Sequence, residues 1–153
     1  MAFQVTTVAF RDGGSIPKEF TCDGRDVSPA LAWTDPPAGT KSLALIVDDP
    51  DAPAGTWVHW LFYDLPADTR KLTEDMPKAR EFPNGARQGR NDFGKTGYNG
   101  PCPPAGAAHR YFFKLYALDS KTDLKSGATK NELERAMRRH ILAQAELTGK
   151  FQH

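Results

Sequence analysis

The stretch "VDDPDAPAGTWVHW", Val47 to Trp60, connects two apolar segments and concentrates polar residues between them. Three aspartates and two prolines follow Val47, and a single histidine, His59, lies inside the next apolar run. Asp and Pro are both favoured in turns, because Asp side chains accept from nearby backbone N–H groups and Pro restricts φ. The stretch therefore predicts two strands joined by a stiff turn, with a cluster of titratable side chains beside it.

Four apolar runs, two of which flank this turn, have the composition of β-strands. They are Phe3 to Phe10, Lys41 to Val47, Trp57 to Leu65 and His109 to Asp119. The last two are apolar on both faces, so we expect them at the centre of a sheet that is covered on both sides. Frequent proline (12) and glycine (13) residues suit short strands joined by irregular loops. These features predict a mainly β protein.

The segment from Pro66 to Ala108 is rich in Gly, Pro, Asn and basic residues and poor in aliphatic ones. Unstructured segments of this length are uncommon inside a compact domain and are usually functional. We interpret the segment as a functional loop rather than a linker, because the strands on either side look like parts of one sheet.

The C-terminal segment has the pattern of an amphipathic helix. Thr129 and Glu132 have the spacing of a capping box, and Gly149 stands where a helix is expected to end. Several residues between them recur at helical spacing: Leu133, Ala136, Met137, His140, Ile141, Gln144 and Leu147. We predict one helix through this segment, packed on the rest of the domain, with His140 as a packing residue.

Length and charge restrict the class of protein. The 153 residues suit one domain, residues 1–153. A formal net charge of +1 provides no general electrostatic basis for binding nucleic acid or membranes. The chain has no apolar run near the length of a membrane span, and its N-terminal residues lack the pattern of a signal peptide. We expect no nucleic-acid partner, no stable membrane insertion and, by default, a cytoplasmic location.

Two cysteines, Cys22 and Cys102, are far apart in the sequence and lack C-x-x-C spacing. The default expectation in a reducing cytoplasm is two reduced, partly buried thiols. A disulfide between them is the second interpretation, and a redox or nucleophilic role is the third.

Strand alternation sorts the polar side chains by face. Near one end of each longer run, a polar residue falls on a face that is otherwise apolar, and His59 is expected on the face of Leu61. If the strands are neighbours, four side chains converge in a small pocket, apolar beneath and polar at its mouth: Asp49, His59, His109 and Tyr111. Asp48 is expected to face solvent.

The segment "NDFGKTGYNGPCPPAGAAHRY", Asn91 to Tyr111, leads directly into the second histidine of this group. Its glycines permit positive φ and close backbone approach, and its prolines stiffen it. A rigid loop with exposed N–H groups beside two imidazoles favours an anion, since His⁺ and the Tyr hydroxyl donate to phosphate or carboxylate oxygens. Asp49 is assigned to orienting a histidine, and Asp51 to anchoring the turn.

Several motifs occur in order along the chain: "FTCDGRDVSPALAW", "DPDAP", "HW", "GYNGPCPP" and "HRYFFKLYALD". Together they closely resemble the phosphatidylethanolamine-binding protein family, in its bacterial and archaeal branch, often called Raf kinase inhibitor-like. The similarity extends from about Phe20 to Leu147. It implies a β-sandwich of antiparallel sheets with Greek-key connections.

The resemblance also implies a pocket for a small anion such as phosphate, phosphoethanolamine or a carboxylate, and no cofactor or metal. Its ligand-binding residues are carried over onto Asp49, Asp51, His59, Gly100, Pro101, His109 and Tyr111, with the glycine-proline loop around Gly100 and Pro101 as the wall. A cis peptide before Pro53 is expected, because relatives tend to have one there. Microbial members are often dimers, so a homodimer is the expected assembly.

Three classes of function fit these observations. The first is binding of small anions or phosphorylated head groups, and the second is regulation of a protein target, such as inhibition of a serine protease or kinase. The third is an enzyme, in which Asp49, His59 and His109 bind Zn²⁺ or Cys102 and His109 act as nucleophile and base. We expect a non-catalytic binding protein, because the sequence lacks a local histidine pair and a clear third partner for Cys102.

Overall fold

The computed structural model describes residues 2–153 and is mainly β, as the sequence predicts. One α-helix, α1 (Lys130–Met137), and a short 3-10 helix (Lys18–Phe20) accompany the strands. Within residues 2–153, no helix has both the length and the apolar character needed to cross a membrane. The strands are β1 (Val5–Thr6), β2 (Gly14–Ser15), β3 (Leu31–Trp33), β4 (Ser42–Asp49), β5 (Trp57–Pro66), β6 (Lys71–Leu72), β7 (Arg87–Gln88), β8 (His109–Leu118) and β9 (Ile141–Phe151).

The strands form two sheets, one of three strands in the order β1-β3-β6 and one of six in the order β2-β9-β8-β4-β5-β7. The three longer predicted runs are therefore direct neighbours, since β4 lies between β5 and β8. The pairings between these strands are antiparallel, as expected, except that β2 pairs with β9 in parallel. Greek-key connectivity remains a prediction.

The larger sheet buries both of its faces. One face packs in a cluster that also contains residues of the smaller sheet, among them Leu31 and Trp33. The other face packs against Leu133 and Met137 of α1. Every residue of β4 is buried, which explains why the central strands have continuous apolar runs rather than alternating ones.

The first predicted strand is much shorter than expected, and only Val5–Thr6 is paired. The side chain of Thr7 redirects the chain, because its hydroxyl donates to the carbonyl of Ala30 and accepts from the N–H of Ala9. Val8, beyond this bend, is 96% exposed. Local side-chain to backbone bonds of this kind compete with strand pairing.

The predicted C-terminal helix begins correctly but ends far earlier than expected. Thr129 and Glu132 form the capping box, and α1 ends at Met137. Arg139 then takes a left-handed conformation with φ of 72°. The following residues form β9, which pairs with β8 from Leu118↔Ile141 to His109↔Phe151. The prediction of one long helix is wrong, because this long-range pairing outweighs the helical spacing of the apolar residues.

Candidate functional site

A cavity of about 340 Å³ lies where β4 ends and where β5 and β8 begin. Four of the residues predicted to converge line it: Asp49, His59, His109 and Tyr111. The rest of the lining is largely apolar and comes from two loops: Ala52, Pro53, Ala54, Trp57, Phe93, Cys102, Pro103 and Pro104.

Asp49 uses both carboxylate oxygens within the protein. Its Oδ1 accepts from the backbone N–H of Asp51 at 2.8 Å, which starts the turn after β4. Its Oδ2 lies 2.7 Å from Nδ1 of His109. An ionised carboxylate only accepts, so Nδ1 of His109 is the donor and its Nε2 is the nitrogen left for other partners.

His59 owes its position to a β-bulge in β5. Val47 pairs with Trp60 and Asp48 pairs with Val58, so His59 is an extra residue opposite β4. The expectation that it shares the face of Leu61 is wrong, because simple alternation does not survive an inserted residue. His59 instead faces the cavity, and its carbonyl accepts from the N–H of Asn99 at 3.1 Å.

The ring of His59 is fixed by its surroundings. Its Nδ1 lies 2.6 Å from the carbonyl oxygen of Asn99, and since a carbonyl only accepts, Nδ1 carries the proton. The ring packs edge-on against Tyr111 and Phe93, with centroid distances of 5.2 and 5.4 Å. Burial lowers the pKa of His59 below its ordinary value of 6.5, because desolvation disfavours the charged form. At neutral pH its Nε2 is therefore an acceptor.

Tyr111 lies between the two histidines and is almost completely buried. Its ring stacks on His109 with a centroid distance of 6.5 Å, and His59 contacts it from the other direction. Burial, followed by the nearby Asp49 carboxylate, raises the pKa of Tyr111. The phenol therefore stays protonated and is available as a hydrogen-bond donor.

Trp57 and Phe93 form an aromatic part of the lining, with an edge-to-face contact at a centroid distance of 5.6 Å. Of the two tryptophans in β5, Trp57 lines the cavity and Trp60 does not. Trp60 is fully buried and donates from Nε1 to the side chain of Gln88 at 2.7 Å. Phe93 was missed, because nothing in its local sequence indicates that the long loop folds back over His59.

Asp51, one of the predicted ligand residues, is not part of the lining. Its Oδ2 accepts from both Nε and the backbone N–H of Arg110 at 2.9 Å, and its Oδ1 accepts from Nη2 at 2.8 Å. These bonds from Arg110 lower the pKa of Asp51 to about 2. Asp51 therefore fastens the turn after β4 to the start of β8, a role that depends on a partner distant in sequence.

Gly100 and Pro101 lie behind the wall rather than in it. The N–H of Gly100 donates to Oδ1 of Asp26 at 2.7 Å, and an added Cβ would stand 2.0 Å from the carbonyl oxygen of Phe20. The carbonyl of Pro101 accepts from the N–H of Cys22 at 3.1 Å. The same loop lines the cavity with its next three residues, Cys102, Pro103 and Pro104. Ligand contact at Gly100 and Pro101 stays a prediction.

The Ala52–Pro53 peptide is trans, and residues 2–153 contain no cis peptide bond. The prediction of a cis bond is therefore wrong. The turn is closed by the bond from Asp51 to Asp49 and by the N–H of Gly55, which donates to the carbonyl of Ala52 at 3.1 Å. The trans form, which is the commoner one for X–Pro, accommodates these bonds.

Cys22 and Cys102 are joined by a disulfide, with their Cα atoms 5.4 Å apart. Both residues are exposed. The default expectation of two reduced, partly buried thiols is therefore wrong, because the loop that carries Cys102 returns to the loop that carries Cys22. In this state the Cys102 sulfur is not free to act as a nucleophile beside His109.

Asp48 is not exposed as expected but only 1% accessible. Its Oδ2 lies 3.2 Å from Nζ of Lys114 and 3.1 Å from Nζ of Lys130. Asp48 is buried because α1 covers the face of the sheet opposite the cavity.

Known proteins resemble this chain over nearly its whole length. A family profile described as phosphatidylethanolamine-binding protein matches residues 6–152. A UPF0098 protein of Methanothermobacter thermautotrophicus is 51% identical over 145 residues, which cover 95% of each chain. A UPF0098 protein of Aquifex aeolicus is 51% identical over 150 residues, covering 97% of this chain and 87% of the other.

Two solved structures agree closely with the fold. A Chlamydia trachomatis protein, described as a putative phosphatidylethanolamine-binding protein homolog, has a TM-score of 0.90 at 44% identity, covering 99% of this chain and 98% of the other. An Escherichia coli protein, described as a new member of the mammalian family of that name, has a TM-score of 0.92 at 36% identity, covering 100% and 99%.

Proposed function

Because this chain belongs to the phosphatidylethanolamine-binding protein family, we propose that its cavity binds a small anion, with phosphorylated head groups of the phosphoethanolamine type as the expected ligand class. One observation carries the proposal. The two imidazoles of the cavity each commit Nδ1 to an acceptor of the protein, so their Nε2 atoms are left for a ligand. Each Nε2 donates to an anion when its imidazole is protonated, and accepts from a ligand hydroxyl or ammonium group when it is neutral.

The remaining lining suits such a ligand. Both oxygens of Asp49 already accept from protein donors, which offsets part of the repulsion between this carboxylate and a bound anion. The Tyr111 hydroxyl adds a donor, and a volume of about 340 Å³ is within the usual range for small-molecule sites. The faces of Trp57 and Phe93 provide a surface on which an ammonium group can pack.

The proposal is for binding rather than catalysis. The Cys102 sulfur is bonded to Cys22, so it offers no thiolate for the nucleophile-and-base scheme. Nδ1 of each imidazole is committed to an acceptor of the protein, the Asn99 carbonyl for His59 and the Asp49 carboxylate for His109. These contacts favour a rigid recognition site over an acid–base site.

Titration with phosphoethanolamine by calorimetry tests the proposal. We expect the His109→Ala variant to bind at least about tenfold more weakly, since it loses a hydrogen bond to a charged ligand. His140→Ala is the matched control, because His140 also bonds an aspartate at 2.8 Å but lies outside the cavity. Equal affinity for the wild type and His109→Ala would contradict the proposal.

The pH dependence provides a second check, with sulfate as the probe because its charge is constant over the range tested. The pKa of His59 is lowered by burial, so this imidazole becomes a cationic donor only below its ordinary 6.5. We expect sulfate affinity to rise as the pH falls below 6.5 and expect His59→Ala to reduce that rise. A flat profile in the wild type would count against the histidines as anion ligands.

A further inference from the structure

The exposed disulfide is surrounded by other side chains that bind metal ions. The sulfur atoms of Cys22 and Cys102 and one ring nitrogen of His153 all lie within 4.8 Å of one another. Asp23 completes the group, with Oδ1 3.9 Å from the Cys22 sulfur and Oδ2 2.8 Å from Nε2 of His153. Two sulfurs and an imidazole therefore meet at one point of the surface, with the Asp23 carboxylate beside them.

We propose that reduction of the disulfide turns this group, Cys22, Cys102, His153 and Asp23, into a binding site for a thiophilic divalent metal ion, with Zn²⁺ as the best match. Two thiolates, one imidazole and a carboxylate or water oxygen form a donor set that Zn²⁺ accepts in tetrahedral geometry. The inference is independent of anion binding in the cavity.

The reaction balances with a small thiol as the reductant. Two thiol molecules reduce the protein disulfide to two cysteine thiols and are themselves oxidised to one disulfide. Zn²⁺ then binds the two sulfurs as thiolates, and two protons are released. Re-forming the disulfide requires the metal ion to leave, because both sulfurs are then bonded to each other.

The two cysteines stay close when the disulfide is broken, because other bonds hold their loops together. The N–H of Cys22 donates to the carbonyl of Pro101 at 3.1 Å, and the N–H of Gly100 donates to Asp26 at 2.7 Å. The Tyr98 hydroxyl donates to the carbonyl of Phe20 at 2.6 Å, deep in the core. The reduced site is therefore largely preorganised.

The histidine and the aspartate are also positioned without help from the disulfide. Nδ1 of His153 bonds the carbonyl of Pro103, a contact of the kind that orients the ring of metal-binding histidines. The N–H of Asp23 donates to the Thr21 hydroxyl, which in turn donates to the carbonyl of Lys18. Both residues are at the surface, so a metal ion reaches them directly.

Zinc titration of the full chain in both redox states tests the proposal. One sample is reduced with dithiothreitol and desalted without oxygen, and the other keeps its disulfide. Zn²⁺ alone is titrated against a chromophoric chelator, and Co²⁺ is used to look for thiolate-to-metal charge-transfer absorption. The histidines of the cavity are present in both states, so binding that depends on reduction reports the cysteine site.

We expect the reduced wild type to bind Zn²⁺ at least about 100-fold more tightly than the oxidised one, because thiolates are its strongest protein ligands here. His153→Ala keeps both thiols and should weaken binding by about tenfold or more, since one of the protein donors is lost. His140 also has its imidazole 2.8 Å from an aspartate but does not belong to the group of metal-binding side chains, so His140→Ala should bind as the wild type does.

The proposal is overturned if the two redox states bind Zn²⁺ equally, or if His153→Ala matches the reduced wild type. The hydrogen bonds of His153 go only to the loop residues Pro103 and Asp23, and its ring otherwise has an edge contact with Phe151. The His153→Ala variant is therefore expected to fold, and it decides the question even if a Cys22→Ser/Cys102→Ser variant does not. Where the double variant does fold, it should bind Zn²⁺ like the oxidised chain in either condition, and reduction-dependent binding by it would refute the site.

Discussion

His59 and His109 face the same cavity but have different hydrogen-bond partners. His59 is bonded to a neutral carbonyl in a buried aromatic setting, which favours the neutral imidazole. His109 is bonded to the carboxylate of Asp49, an arrangement in which a charged imidazole has a counterion. The pair therefore offers a ligand two similarly placed nitrogens in chemically different settings.

The lowered pKa of His59 predicts how stability depends on pH. In the unfolded chain this group binds a proton near its ordinary pKa of 6.5, whereas the folded chain resists protonation. Stability should therefore fall as the pH drops below 6.5, because the unfolded state binds more protons. Urea unfolding on either side of that value should show a smaller loss for His59→Gln than for the wild type. An equal loss would show that burial of His59 does not set this dependence.

The bonds from Arg110 to Asp51 predict a second residue-scale effect. Asp51→Asn should lower the free energy of unfolding at neutral pH by about 1 kcal/mol, because charge-assisted bonds weaken. Since the pKa of Asp51 is lowered to about 2, its stabilisation is present above the ordinary 3.8 and is lost as the pH falls towards 2.

Asp35→Asn is the matched control for Asp51→Asn. Asp35 meets Arg70 at 2.9 Å but is 90% exposed, and an exposed pair of this kind contributes about 0–1 kcal/mol. Urea denaturation of both variants should rank Asp51→Asn as the more destabilised. The reverse order would show that the turn is held by its backbone bonds alone.

In β5 and β9, pairing with neighbouring strands decides which way the side chains face. In β5, the bulge at His59 directs its ring to the cavity and its carbonyl to Asn99. In β9, alternate residues face the core: Ala145, Leu147 and Gly149 are buried, while Glu146 and Lys150 are exposed. The sequence of this segment carries both this two-residue period and a helical one, and pairing with β8 selects the strand.

The junction between α1 and β9 predicts an element-scale effect. Arg139 has a φ of 72°, which costs an L side chain but not glycine. Arg139→Gly should therefore stabilise the protein by about 0.5–1 kcal/mol. Arg138→Gly is the control, since Arg138 is the neighbouring exposed arginine but has a φ of −55° and should gain nothing. Chemical denaturation of both variants measures the difference, and equal effects would contradict the conformational argument.

At the scale of the whole molecule, the site is assembled from segments distant in the chain. The disulfide joins residues separated by 80 positions and ties the pocket wall to the loop before β3. The wall, the turn after β4 and the two central strands all meet at one end of the larger sheet.

Reduction of the disulfide should therefore lower the stability of the whole fold. Cross-linking residues 80 positions apart restricts the unfolded chain, an effect of about 2–4 kcal/mol. Urea unfolding with and without a reductant, in the presence of a chelator to exclude metal binding, should show a lower midpoint for the reduced chain. The Cys22→Ser/Cys102→Ser variant should not respond to the reductant. An unchanged midpoint for the wild type would exclude this contribution.

The sequence by itself determined the central strands, the turn between β4 and β5 and the start of α1. These features depend on composition, spacing and caps within a few residues, so local physical chemistry decides them. The motifs from Phe20 onward were also sufficient to predict the family.

Only the tertiary structure decided the extent of β9, the face of His59, the partner of Asp51 and the pairing of Cys22 with Cys102. Each depends on atoms from segments far apart along the chain, which local spacing does not specify. A strand in β9 rather than a helix, for example, follows from ten residues of β8 that satisfy its backbone donors and acceptors. The local sequence therefore supplies the residue types of the pocket, whereas contacts between distant segments set their relative positions.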